Sequence, residues 1–230
     1  GGSTARLAGG AVQAGHGARV HAFDRFTADP VTRARLLPDH PPADPGDRDI
    51  LPLAERFLRP WRDRVICHRG EIETLGWTGV PGGGGPIELL VIDAAKTGDT
   101  ADAIAAAFFP ALMPGRSLVV HQDALHWRQP WILAQMLRLR QHFRPLLHVE
   151  RDTVAWLCMR VPCHDALAHA RLADMDDTAL ESALVDAERM LAPLRVAPRV
   201  AALRRAVRDN PGTRAAYAMR DAPSARAPGG

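Results

Sequence analysis

Asp93 and Lys96 stand three positions apart at the end of a strongly apolar run, Ile-Glu-Leu-Leu-Val-Ile-Asp-Ala-Ala-Lys over residues 87–96. Lys96 is the one lysine among 29 lysine and arginine residues. A carboxylate and an amine so placed can orient a charged ligand or pass a proton. Five of its first six residues are apolar, Glu88 being the exception, which predicts a strand buried on both faces of a parallel sheet. In open α/β sheets ligands bind beyond the carboxyl ends of such strands. A plainer reading gives Asp93 to the turn and Lys96 to solvent, and these residues alone leave the two readings level.

A second constellation follows the apolar run 117–120: His121, Gln122, Asp123, then His126 and Trp127. If a metal binds, Asp93 and Asp123 are the first choices as ligands, with Gln122 and His121 second. The competing reading leaves His121 at a strand end and His126 in a loop, each satisfied by hydrogen bonds. Trp127 and Trp131 are candidates to line an acceptor pocket, with core packing as the alternative.

The elements that position these residues start at the first glycines. Gly1-Gly2-Ser3-Thr4 precedes a small-residue stretch, 5–14, that reads as a helix capped by Ser3 or Thr4 and closed by Gly15 and Gly17. A short strand over 19–23 ends at Asp24. Glycines, helix, strand and acid at this spacing belong to dinucleotide-type folds, where the acid accepts hydrogen bonds from ribose hydroxyls. A strand preceding the glycines is expected in such a fold, between the strands ending at Asp24 and Asp93. On that expectation residues 1–230 are a fragment of a longer chain, or another segment fills that slot.

Residues 27–49, rich in Pro and Asp, read as a loop; 51–61 as a helix; 64–68 as a strand leading to Gly70-Glu71. The four glycines between Pro81 and Pro86 precede a strand rather than follow one, which makes them a connector and not a phosphate cradle. Asp99 or Thr100 is expected to cap a helix running to Leu112. Pro130 opens another, with Ile132, Met136, Leu139 and Phe143 on one face. Two strands, 146–149 and 153–159, form a hairpin around Glu150-Arg151-Asp152. Residues 164–192 and 195–208 read as helices.

Strands alternating with helices and closing in a hairpin predict an α/β fold. Its sheet is Rossmann-like and mostly parallel, with one reversed strand at an edge and helices on both faces. The expected division is a domain over 1–162, a helical extension over 163–208 and a disordered tail over 209–230. Apolar residues make up 47% and charged residues 24% of the 230, the balance of a soluble globular chain. No apolar run approaches a membrane span. Three scattered cysteines, Cys67, Cys158 and Cys163, fit reduced thiols in a cytoplasm. Residues 195–230 hold eight arginines against two aspartates, but with one aromatic and no reading motif they argue for a solvated or partner-docking tail over nucleic-acid binding.

In this order the elements resemble a Rossmann-like S-adenosylmethionine-dependent methyltransferase over residues 1–162. Gly1-Gly2-Ser3-Thr4 resembles the end of that family's glycine motif. The resemblance implies that S-adenosylmethionine is held by Gly1, Gly2, Ser3 and Asp24, that Glu71 and Ile72 border the adenine, and that Asp93 sits near the methyl donor. Asp93-Ala94-Ala95-Lys96 is similar to the Asp-x-x-Lys of metal-dependent, catechol-type O-methyltransferases. That narrower likeness implies Mg²⁺ on Asp93, Asp123 and Gln122, with Lys96 as general base. Where that branch has an acidic pair or an acid-amide pair, however, this chain has His121-Gln122-Asp123. The acceptor implied is a small-molecule hydroxyl, and assembly with further copies of the chain stays open. A non-catalytic methyltransferase-like domain and a nicotinamide oxidoreductase are the alternatives from other classes.

Overall fold

The computed structural model describes residues 2–15, 17–41, 44, 46–149 and 151–220. The chain is α/β, with eight α-helices and six strands among the described residues, and it divides into two compact units, Gly1–Leu75 and Gly76–Gly230. No described helix is long and apolar enough to cross a membrane.

In the first unit, helix α1 (Gly2–Gln13) is followed by strand β1 (Val20–Asp24), and strand β2 (Val65–Arg69) runs parallel to it from Val20↔Val65 to Asp24↔Arg69. Ser3 and Thr4 lie inside the first turn of α1 rather than capping it. Gly15, at φ 65°, ends the turn after the helix in the left-handed conformation that favours glycine. The stretch expected as a loop contains a helix, α2 (Pro30–Leu36). Asp29 caps it by accepting from the Thr32 N–H at 3.0 Å, and Pro30 fills the first position. The buried Arg33 donates to the carbonyls of His40, Asp47 and Asp49, each at 3.3 Å, and so gathers the rest of the loop. Helix α3 (Leu51–Leu58) buries Ala54 and Leu58.

The second unit is built on a mixed sheet of strands β3 (Leu89–Ile92), β4 (Leu118–His121), β5 (Phe143–Val149) and β6 (Thr153–Cys158), in the order β3-β4-β6-β5. β3 and β4 are parallel, while β6 is antiparallel to both β4 and β5. The reversed strand is therefore interior, not at an edge. Burial explains the order. Val154, Trp156 and Cys158 of β6 are fully buried, whereas Leu146, Leu147 and Val149 of β5 are exposed. β3 also departs from expectation: Leu89 is exposed, Leu90 and Val91 are half-buried, and Ile92 alone is buried. Among the described residues it pairs as a strand along one edge only.

Helix α4 (Gly98–Phe108) is capped by Thr97, whose hydroxyl accepts from the Thr100 N–H at 3.0 Å, so the cap falls ahead of both expected residues. Helix α5 (Pro130–Arg138) is buried all round rather than on one face, because helix α7 (Asp177–Met190) packs against it and helix α8 (Ala197–Asp209) packs against α7. The single helix expected over 164–192 is broken. Helix α6 (His164–His169) ends where the Asp102 carboxylate accepts from the Leu172 and Ala173 N–H groups, and Asp176 starts α7 as its cap.

Residues 209–220 correct the expected disordered tail, whose remainder, 221–230, lies outside the described residues. The Gly98 N–H donates to the Arg214 carbonyl at 2.9 Å and the Ala216 N–H to the Lys96 carbonyl at 2.8 Å. Asn210 accepts from the Arg220 N–H at 2.7 Å, and Met219 is buried. Replacing Trp156 by Ala should cost about 3–5 kcal/mol in urea unfolding, the loss of a fully buried aromatic. Leu147→Ala should stay within about 1 kcal/mol, as for a half-exposed side chain. Equal costs would contradict the strand order.

Candidate functional site

Because β3 and β4 are parallel and adjacent, Asp93, one residue beyond β3, and Asp123, two beyond β4, emerge at the same sheet edge. The Gln122 N–H donates to the Ile92 carbonyl at 3.0 Å and ties the two strand ends together. Between them the backbone of 94–97 is fixed from three sides. The Lys96 N–H closes a tight turn on the Ala94 carbonyl at 2.7 Å, the buried Trp131 indole donates to the Ala95 carbonyl at 3.1 Å, and Ala216 holds the Lys96 carbonyl.

From that anchored backbone the Lys96 ammonium donates to Asp93 Oδ1 at 3.1 Å and to Asp123 Oδ2. The buried Gln129 amide donates to the same Asp123 oxygen at 3.0 Å. Partial burial works against the lysine's charge, but the bonds and charges of Asp123 and Asp93 outweigh it and hold its pKa above the ordinary 10.5. Burial likewise pushes the Asp123 carboxyl up, and Lys96 and Gln129 more than reverse it, leaving the pKa below the ordinary 3.8. The site is thus one ammonium shared by two carboxylates. In this arrangement the lysine stands as a charged hydrogen-bond donor.

The expected Mg²⁺ ligands are drawn together only in part. Mg²⁺ requires several oxygens in near-octahedral array. Asp93 and Asp123 each direct an oxygen to Lys96, and Gln122 enters through its backbone, its carbonyl accepting from the Thr153 hydroxyl at 3.0 Å. Among the described residues no group of three or more His, Cys, Asp or Glu side chains converges on a metal position. As placed, these residues do not fit a divalent ion, since the cation between the carboxylates belongs to the chain.

His121 is fully buried at the end of β4, and neither ring nitrogen has a hydrogen-bond partner. Burial pushes its pKa down to about 4, against the opposing pull of Asp123. His126 turns inward on its own loop, its Nδ1 accepting from the Arg128 N–H at 3.2 Å. Trp127 is half-buried, with the Arg128 guanidinium 4.7 Å from its ring centre, while Trp131 belongs to the core. Sequence reasoning missed Gln129 as the partner of Asp123. It also missed the strap formed by residues 214–216.

In the first unit, Asp24 ends β1 and the Gly70-Glu71-Ile72 turn follows its parallel neighbour β2, which brings them to one edge. Asp24 is exposed, and its Oδ1 accepts from the Phe26 N–H at 2.6 Å. Glu71 is exposed 3.9 Å from Arg25, and Ile72 is half-buried. Gly2 and Ser3 open α1, which packs against β1; Gly1 lies outside the described residues. Asp24, Glu71 and Ile72 belong to the first unit, and Asp93, Lys96 and Asp123 to the second. Compared with models of known protein families and with curated protein sequences, the chain matches none.

Below pH 6.5 the unfolded chain protonates His121, while the folded chain holds it neutral down to about 4. Stability should therefore fall as pH drops through that window, by about 3 kcal/mol in total. His121→Leu should flatten this part of a urea-denaturation profile. Lys96 has the opposite sense: its contribution is complete below pH 10.5 and is lost as pH rises through its elevated folded pKa. Lys96→Met should remove that alkaline loss.

Proposed function

We propose that the chain is a Rossmann-like, S-adenosylmethionine-dependent methyltransferase acting on a hydroxyl of a small molecule. The observation that carries this reading is the charged Lys96 held between Asp93 and Asp123 at the carboxyl ends of two neighbouring parallel strands. Ligands of open α/β sheets bind at that edge. The interior reversed strand also suits a methyltransferase better than a uniformly parallel dinucleotide-binding sheet.

When bound, S-adenosylmethionine supplies a sulfonium methyl group open to in-line displacement. By the resemblance, Gly2 and Ser3 at the start of α1 approach the nucleotide, Asp24 accepts from the ribose hydroxyls, and Glu71 and Ile72 border the adenine. The acceptor hydroxyl gains nucleophilicity as its proton passes to water at the exposed rim beside Asp93. Lys96, cationic throughout, stabilises the developing oxyanion and thereby lowers the barrier to that loss. Asp93 and Asp123 aim the ammonium and Gln129 fixes Asp123, so the donor is oriented before the acceptor arrives.

Calorimetry on the full chain with S-adenosylmethionine, its demethylated product and NAD tests the reading. Both sulfur nucleotides should bind. Asp24→Ala should weaken them by about 1.5–3 kcal/mol, the range for hydrogen bonds to a charged group. Tighter binding of NAD would replace methyl transfer with the oxidoreductase reading. With any acceptor that is turned over, Lys96→Met should lower kcat by about 10²–10³-fold, as for loss of one preorganised donor to an oxyanion.

A further inference from the structure

We propose that the Lys96 ammonium is the resident cation of the Asp93–Asp123 pair and excludes divalent metal ions from it. The inference stands on these side chains alone and does not rest on methyl transfer.

Two carboxylates projecting from neighbouring strand ends are a common beginning for a Mg²⁺ or Mn²⁺ site. Here the point on which they converge is taken by a charged group of the same chain. Asp93 gives Oδ1 and Asp123 gives Oδ2 to Nζ of Lys96. Asp123 is not free to turn its other oxygen inward without loss, because Oδ2 is also the acceptor for Gln129, which is 3% exposed. The lysine in turn is anchored by its backbone. Its N–H bonds Ala94, its carbonyl accepts from Ala216, and Trp131 holds the preceding carbonyl.

A divalent ion entering this place would meet an ammonium instead of a third oxygen. To bind, it would have to drive Lys96 off both carboxylates, against a backbone anchored on either side of the lysine. Binding geometry and charge therefore point the same way. The site carries a positive charge that does not depend on metal supply and is delivered by a side chain of fixed origin. It also means that the metal-binding capacity of the two aspartates is latent, and removal of the lysine's charge should reveal it.

The chain offers a clean probe, because Lys96 is its one lysine. Lysine labelled with ¹³C and ¹⁵N gives a single side-chain signal in the 230-residue chain. That signal should not move in millimolar Mg²⁺, and Mn²⁺ should not broaden it in a saturable way. In Lys96→Met, Mn²⁺ binding read by electron paramagnetic resonance should tighten at least roughly tenfold over the unaltered chain, since two carboxylates are then left to the ion. Lys96→Arg should behave like the unaltered chain. A saturable Mg²⁺-dependent shift of the Lys96 signal, or equal Mn²⁺ affinity with and without the lysine, would overturn the proposal. Should Lys96→Met fail to fold, the titration of the unaltered chain decides by itself. Nucleotide calorimetry and metal titration read different groups, so either can fail while the other stands.

Discussion

Strand β4 is hydrogen-bonded along both edges, parallel to β3 on one side and antiparallel to β6 on the other. The second unit depends on this double pairing. The parallel edge sets Asp93 and Asp123 side by side. The antiparallel edge brings in β6, whose Trp156 and Val154 are shielded completely. Four residues of strand thus join a buried apolar layer to a polar rim. His121, the last of them, sits at the boundary and is buried without a partner for either nitrogen. Leaving a buried donor unmet costs about 1–3 kcal/mol, a strain borne one strand end away from the charged cluster.

Charge at that rim is arranged by position more than by burial. Lys96 and Asp93 are about half exposed, with side-chain exposures of 46% and 63%, and Asp123 is more enclosed at 22%. Water screens such pairs, and exposed ion pairs contribute little to stability. What the arrangement supplies is orientation. One ammonium has two acceptors, one of those acceptors has a second donor in Gln129, and the backbone of Ala95 and Lys96 is pinned by three hydrogen bonds. A group aimed in advance needs less reorganisation when charge develops beside it.

Much of the element order was legible in the sequence. The apolar runs ending at Asp24, at Ile92 and at His121 mark strand ends because apolar clustering is a local signal. Asp93 and Asp123 could be paired because parallel strands share a polarity. The strand order was less accessible. Whether 143–149 or 153–158 lies inside the sheet is decided by long-range burial, and it was the fully enclosed Trp156 that took the interior place. The ammonium bridge was hidden for the same reason, since it depends on the loop conformation after β3. Helix α2 was masked by a Pro- and Asp-rich composition, although Asp29-Pro30 is itself a helix-start signal. The arginine content of the last residues concealed Ala216 and Met219, whose contacts are made by backbone and an apolar side chain.

The strap over the site has a consequence for how the chain is made. Gly98 and Lys96 complete their hydrogen bonds with Arg214 and Ala216, far later in the sequence. During synthesis the strands and α4 emerge well before the segment that clasps them. Contacts between such distant segments form late, since loop closure precedes any gain from them. The sheet can therefore be assembled while the lysine backbone still lacks its clasp on the tail side. The charged rim therefore gains its clasp only once residues 214–216 have followed the sheet out of the ribosome.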